Sequence, residues 1–178
     1  MFFPNSDNSP SPWPADLPPA SGSPVRVEFR RTVLDEAGDP AHAATHLRRR
    51  LIVLEESLMA DSDDFARIFV HELFHFVWLR LGNRKRRSYE RLLATELQTN
   101  ARGELGWSAE WRKKALQPRD RRERTRRWRE YCCESFCDTA AWRYSGVKKH
   151  QEFTLVSHAR ATRRKWLARE CIDEGIRI

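Results

Sequence analysis

Between Asp61 and Gly82 the sequence DSDDFARIFVHELFHFVWLRLG puts large apolar side chains on almost every face of a helix. Phe65, Ile68, Phe69, Leu73, Phe76, Val77 and Leu79 cover nearly the whole circumference, so the element must lie inside the fold rather than along its surface. Asp61 or Ser62 supplies the N-cap, further acids occupy the first turn, and Gly82 with Asn83 ends the helix. A polar side chain within such a segment needs a partner, because removing it from water unpaired is costly. The polar side chains at its centre are His71, Glu72 and His75.

On a helix, imidazoles at i and i+4 stand one turn apart on one face and can grip a single zinc ion together. Glu72 sits beside the first of them, where its carboxylate reaches a metal-activated water rather than the metal. That is the position of a general base. The plainer alternative is a pair of core histidines satisfied by hydrogen bonds, with Glu72 in a salt bridge.

A catalytic zinc needs a third protein ligand and one open position. Glu134, in the apolar setting of YCCESFCDTAAW, is the first candidate. Asp138 lies one turn later on the same face, where it can orient a ligating histidine by accepting its other ring N–H. Carboxylates so placed repel each other unless a cation intervenes; the alternative is two surface acids neutralised by arginines. Glu96, Glu104 and Glu110 come sooner after His75 but lack an acid one turn on. His150 and His158 remain open as a third ligand or as an oxyanion stabiliser, and Tyr144 and Arg143 as further oxyanion candidates.

With His71, Glu72 and His75 followed by Glu134 and Asp138, the chain resembles the gluzincin metallopeptidases. Their pattern is a His-Glu-x-x-His helix and a second helix carrying Glu-x-x-x-Asp. The resemblance spans about residues 48–142, and the strand-like RRLIVLEE segment resembles in particular the small bacterial metallopeptidases that cleave repressors. It implies zinc held by His71, His75 and Glu134, with Glu72 as base and Asp138 supporting a zinc histidine. It also implies a polypeptide substrate held along an edge strand, a role that residues 50–55 would fit.

The remaining segments predict an α+β fold, mainly helical and zincin-like, with a small N-terminal sheet covering one side of the central helix. Residues 1–24 hold seven of the nine prolines and read as a flexible tail ahead of a single domain at 25–178. VRVEFRRTVL alternates as a half-buried strand does, and a strand at 50–55 is favoured over a helix at 43–59. Helices follow from KRRSYERLLATELQ to near Gly103, over WSAEWRKKAL, over about 119–144, and over 157–171.

The chain carries a net charge of +8. From Trp111 to Glu130 ten basic residues face three acids, so the segment 112–129 is a candidate contact for nucleic acid or an acidic protein, or simply a solvated arginine-rich face. No run of about 18 apolar residues offers a membrane span, and the N-terminus lacks the pattern of a secretory signal, so a cytoplasmic location is expected. Cys132, Cys133, Cys137 and Cys171 do not form a disulfide framework; Cys133 and Cys137 lie one helical turn apart. That spacing sustains a rival expectation, a non-catalytic binding protein with a closed structural zinc site. A zincin fold that has lost catalysis and acts by binding alone is another.

Overall fold

The computed structural model describes residues 13–35, 38–170 and 172–178. Its short strands are β1 (Ala20–Ser21), β2 (Arg26–Arg30), β3 (Val33–Leu34), β4 (Pro40–Ala41), β5 (Ala43–His46), β6 (Leu51–Glu55) and β7 (Ile176–Arg177). The helices are α1 (Ser62–Arg80), α2 (Asn83–Gln98), α3 (Trp107–Ala115), α4 (Pro118–Glu123), α5 (Arg126–Tyr144) and α6 (Ser157–Arg169). The chain is mainly helical, with a small mixed sheet near its N-terminus.

α1 begins where the sequence places it: the Asp61 carboxylate accepts from the backbone N–H groups of Asp63 (3.0 Å) and Asp64 (3.1 Å). Its apolar faces meet α5, and the aromatic core gathers there. Phe74 packs on Phe136 and Tyr144, while Phe136 in turn meets Trp78, Tyr89 and Trp166. Phe65, Phe69, Leu73, Phe76 and Val77 are buried as the pattern expects and Ile68 is half-buried, whereas Leu79, in the last turn, is exposed.

The three-stranded sheet has the order β2-β6-β5, with β2 parallel and β5 antiparallel to β6. β6 is buried from Leu51 to Leu54, as a strand covered on both faces must be, which explains its unbroken apolar run. This central place overturns the expectation that residues 50–55 form the exposed edge. The edge strand against α1 is β5, drawn from a segment whose pattern left strand and helix undecided. β5 has the short side chains of Ala43, Ala44 and Thr45 and declares itself only by pairing with β6.

Two further segments differ from expectation. The helix expected over 119–144 breaks at Arg124, which has a left-handed φ of 48°, and restarts with Thr125 as the cap of α5. Asp120 accepts from the Thr125 hydroxyl (2.6 Å) and the Gln117 backbone N–H (2.8 Å), so local side-chain bonds outcompete a continuous helix. Composition assigned residues 1–24 to a flexible tail, and residues 1–12 lie outside the described residues. From Trp13 onward the segment is attached to the body: the indole packs edge-on against Phe65 and Phe69, and β1 pairs in parallel with β7. Gly22, with φ +119°, permits this pairing, since a Cβ there would overlap the Ile178 carbonyl oxygen.

A second buried centre lies between α2, α5 and α6. Arg163 is fully buried and donates to Glu96 through Nη2 (2.7 Å) and to Glu104 through Nη1 (2.8 Å); Tyr131 also donates to Glu104 (2.7 Å). Burial pushes the Glu104 carboxyl upward, but Arg163 and Lys113 more than reverse this and hold it below the usual carboxylate value.

Candidate metal centre

α1 and α5 bring the two sequence segments together. His71 Nε2 lies 3.2 Å from His75 Nε2 and 3.3 Å from Glu134 Oε2. Ligand bonds of about 2.0–2.1 Å at a tetrahedral zinc set donor separations of about 3.3 Å, which both distances match. Donor atoms of His75, Cys133 and Glu134 also lie within 4.8 Å of one another, as do those of His71, His75 and Cys137. Two imidazoles, a carboxylate and neighbouring thiols form a donor set that suits zinc.

The other ring nitrogens are engaged as well. His71 Nδ1 is 2.7 Å from Asp138 Oδ1, and His75 Nδ1 is 3.5 Å from Cys133 Sγ. A partner on Nδ1 leaves Nε2 free to face an ion and fixes the ring's direction. Asp138 is held in turn by α3: its Oδ2 accepts from the Ala109 backbone N–H at 3.1 Å, near the start of a helix whose N-cap, Gly106, has no side chain. A Cβ on Gly106 would overlap the Asp138 carboxylate, so the glycine makes room for the acid that completes its helix. α3 also supplies Ser108, whose hydroxyl donates to Glu134 Oε2, and Arg112, with Nη2 3.9 Å from Glu134 Oε1.

Glu72 stands apart from this donor cluster. Its Oε2 accepts from Thr45 Oγ1 at 2.6 Å, tying it to the edge strand β5. His71, Glu72, His75 and Glu134 are partly exposed, whereas Asp138 and Cys137 are buried. The cluster therefore has an open side toward solvent and a closed side within the core.

The electrostatics favour a cation. Burial alone would lower the His71 pKa, but the Asp138 and Glu134 carboxylates raise it well above 6.5. Burial likewise disfavours ionised Glu134, yet His71, His75 and Arg112 pull its carboxyl far below the ordinary value. For His75, burial is outweighed by the ionised sulfur of Cys133, whose own pKa is lowered to about 6, and the pKa is raised to about 9. Protons on the histidines occupy the electrostatic place that a metal dication would take.

The other sequence candidates lie elsewhere. Glu96 and Glu104 serve Arg163, and Glu110 pairs with Lys114 at 2.7 Å. His150 is 3.1 Å from Asp64 Oδ1, and His158 is exposed on α6. Tyr144 stacks on Phe74 and donates to Asp173 (2.8 Å), and Arg143 faces Asp173 at 3.4 Å. None of these four belongs to the donor groups around His71 and His75. Thr45, Gly106, Ser108 and Arg112 were not singled out from the sequence. The one available signal was Gly-Trp-Ser at 106–108, a helix start without a capping side chain, which requires an acceptor from another element.

Compared with known protein families, with characterised proteins and with solved structures, the chain finds no match. The His71-Glu72-x-x-His75 helix, the donor cluster and the mainly helical architecture with its small sheet are consistent with a zincin-like fold.

Proposed function

We propose that the chain is a zinc-dependent peptidase that cleaves internal peptide bonds, with His71, His75 and Glu134 holding the metal and Glu72 acting as general base. The observation that carries this reading is the separation of roles around one opening: His71 stands at tetrahedral donor spacing from both His75 and Glu134, while Glu72, one residue from His71, is turned aside onto Thr45.

Zinc, when bound, would polarise the scissile carbonyl and lower the pKa of a water molecule. Glu72 would take the water's proton and deliver it to the leaving amine, a transfer that needs a carboxylate free of the metal. The Thr45 hydroxyl holds that carboxylate in place from β5, and the exposed edge of β5 offers backbone groups to an extended peptide. Asp138 keeps His71 in the tautomer that presents Nε2. Arg112 is the cation nearest Glu134 that can reach toward a developing oxyanion, a role that Tyr144 and His158 were expected to share.

The thiols of Cys133 and Cys137 favour a second reading, a closed structural zinc site in a binding protein. Metal analysis, cobalt spectroscopy and an unfolded-protein hydrolysis assay separate the two. The peptidase reading requires about one zinc per chain, hydrolysis by the wild type, and a Glu72→Gln variant that retains zinc and loses hydrolysis. Thiolate-to-cobalt charge-transfer absorption with no hydrolysis would establish the closed site instead. Folded wild type that takes up no zinc would overturn both.

A further inference from the structure

One cavity outside the candidate metal centre has a lining unlike the rest of the surface. It encloses about 280 Å³ where the end of α1, the start of α2 and the α4–α5 junction meet, and Trp78, Arg86, Arg87, Glu90, Arg124 and Arg129 line it. Four guanidinium groups thus share one hollow with a single carboxylate.

That carboxylate is already committed, since Arg124 binds Glu90 in a bidentate pair, Nε to Oε2 and Nη2 to Oε1, both at 2.7 Å. Arg86 and Arg129 are anchored on neutral carbonyls: Arg86 on Leu81 (2.8 Å) and Leu79 (2.9 Å), Arg129 on Arg124 (2.8 Å). Such bonds fix the direction of a guanidinium without cancelling its charge, and leave it other N–H donors. Arg87 is exposed. Arg124 reaches its place only because the chain turns there through a left-handed conformation, which costs a non-glycine residue about 1 kcal/mol or more.

We propose that this hollow is an anion-binding site that takes a backbone phosphate of a single-stranded nucleic acid. Rigid, incompletely neutralised guanidinium groups suit the several oxygens of a phosphate, to which they can donate in pairs. A nucleic acid is favoured because Trp78 adds an aromatic wall next to the arginines and because the lining carries four guanidinium groups against the one carboxylate of Glu90. The site uses none of the metal ligands, so it does not depend on the peptidase reading.

The test is fluorescence anisotropy of a labelled single-stranded oligonucleotide with the full chain, comparing wild type, the Arg87→Ala/Arg129→Ala variant, and an Arg48→Ala/Arg49→Ala control on the exposed turn before β6. Arg87 and Arg129 are exposed, so the variant is expected to fold, which circular dichroism checks. The expected result is at least tenfold weaker binding for the Arg87/Arg129 variant, little change for the control, and competition by inorganic pyrophosphate. Equal losses in the two variants would reduce the binding to general surface charge and overturn the proposal. No oligonucleotide binding by the wild type would overturn it as well, whether or not a phosphopeptide binds in its place.

Discussion

His71 and Asp138 meet across the α1–α5 interface with Nδ1 and Oδ1 2.7 Å apart, and the same carboxylate caps α3 through the Ala109 N–H. One acid thereby fixes both the direction of the His71 imidazole and the start of the helix that supplies Ser108 and Arg112.

Asp138→Asn keeps an acceptor for Ala109 but removes the charge facing His71. Zinc affinity should fall roughly 10–100-fold, the usual effect of losing such an outer partner, while the fold persists. Competition with a chromophoric chelator measures it, and an unchanged affinity would remove Asp138 from the site.

Gly106→Ala should act through the same acid. With φ near −174° the backbone tolerates alanine, so the damage is the overlap with the Asp138 carboxylate. Thermal stability and zinc affinity should both fall. Adding Asp138→Ala should cost less in the Gly106→Ala background than in the wild type, because removing the carboxylate there also relieves the overlap; a thermal double-mutant cycle reads this coupling.

Zinc uptake should depend on pH through His71. Its pKa is raised above 6.5 by Asp138 and Glu134, so the metal-free fold holds a proton there that the unfolded chain has lost. The resulting stability is fully present below pH 6.5 and is lost as pH rises through the raised value. Zinc must displace that proton and the one on His75, whose pKa is raised to about 9, so its affinity should rise by up to about a hundredfold per pH unit until the raised values are passed. Chelator competition at pH 7 and pH 8, with direct measurement of proton release, checks the slope.

Arg163→Met should be among the most damaging single changes. It leaves Glu96 buried without its cation and Glu104 with Lys113 alone, and breaking a buried pair in this way costs about 3–5 kcal/mol. Urea unfolding measures the loss. In the wild type, the contribution of ionised Glu104 is present above the ordinary carboxylate value of 4.5 and is lost as pH falls through its depressed value.

Arg112→Ala should lower kcat against a peptide substrate more than it raises KM, as expected of a group that acts on developing charge. Tyr144→Phe should lower stability through loss of its bond to Asp173 and leave kcat nearly unchanged. A kcat lost with Tyr144→Phe and kept with Arg112→Ala would return the oxyanion role to Tyr144.

Some of this was determined by local sequence alone. α1, its cap and its polar triplet are visible because 3.6-residue periodicity and capping are properties of neighbouring residues. The buried surroundings of Glu134 and Asp138 were also apparent, because Cys, Phe, Ala and Trp flank them on one helix. Tertiary structure decided which acids meet which partners. Glu96 and Glu104 differ from Glu134 by facing Arg163 rather than His71, a distinction set by the rotation and packing of separate helices. It also decided that β5 rather than β6 borders the site, since the edge of a sheet is defined by pairing and leaves no period-two signature of its own. The placement of Asp138 beneath Gly106 is of the same kind: a capping bond between separate elements exists only once α3 has packed against α5.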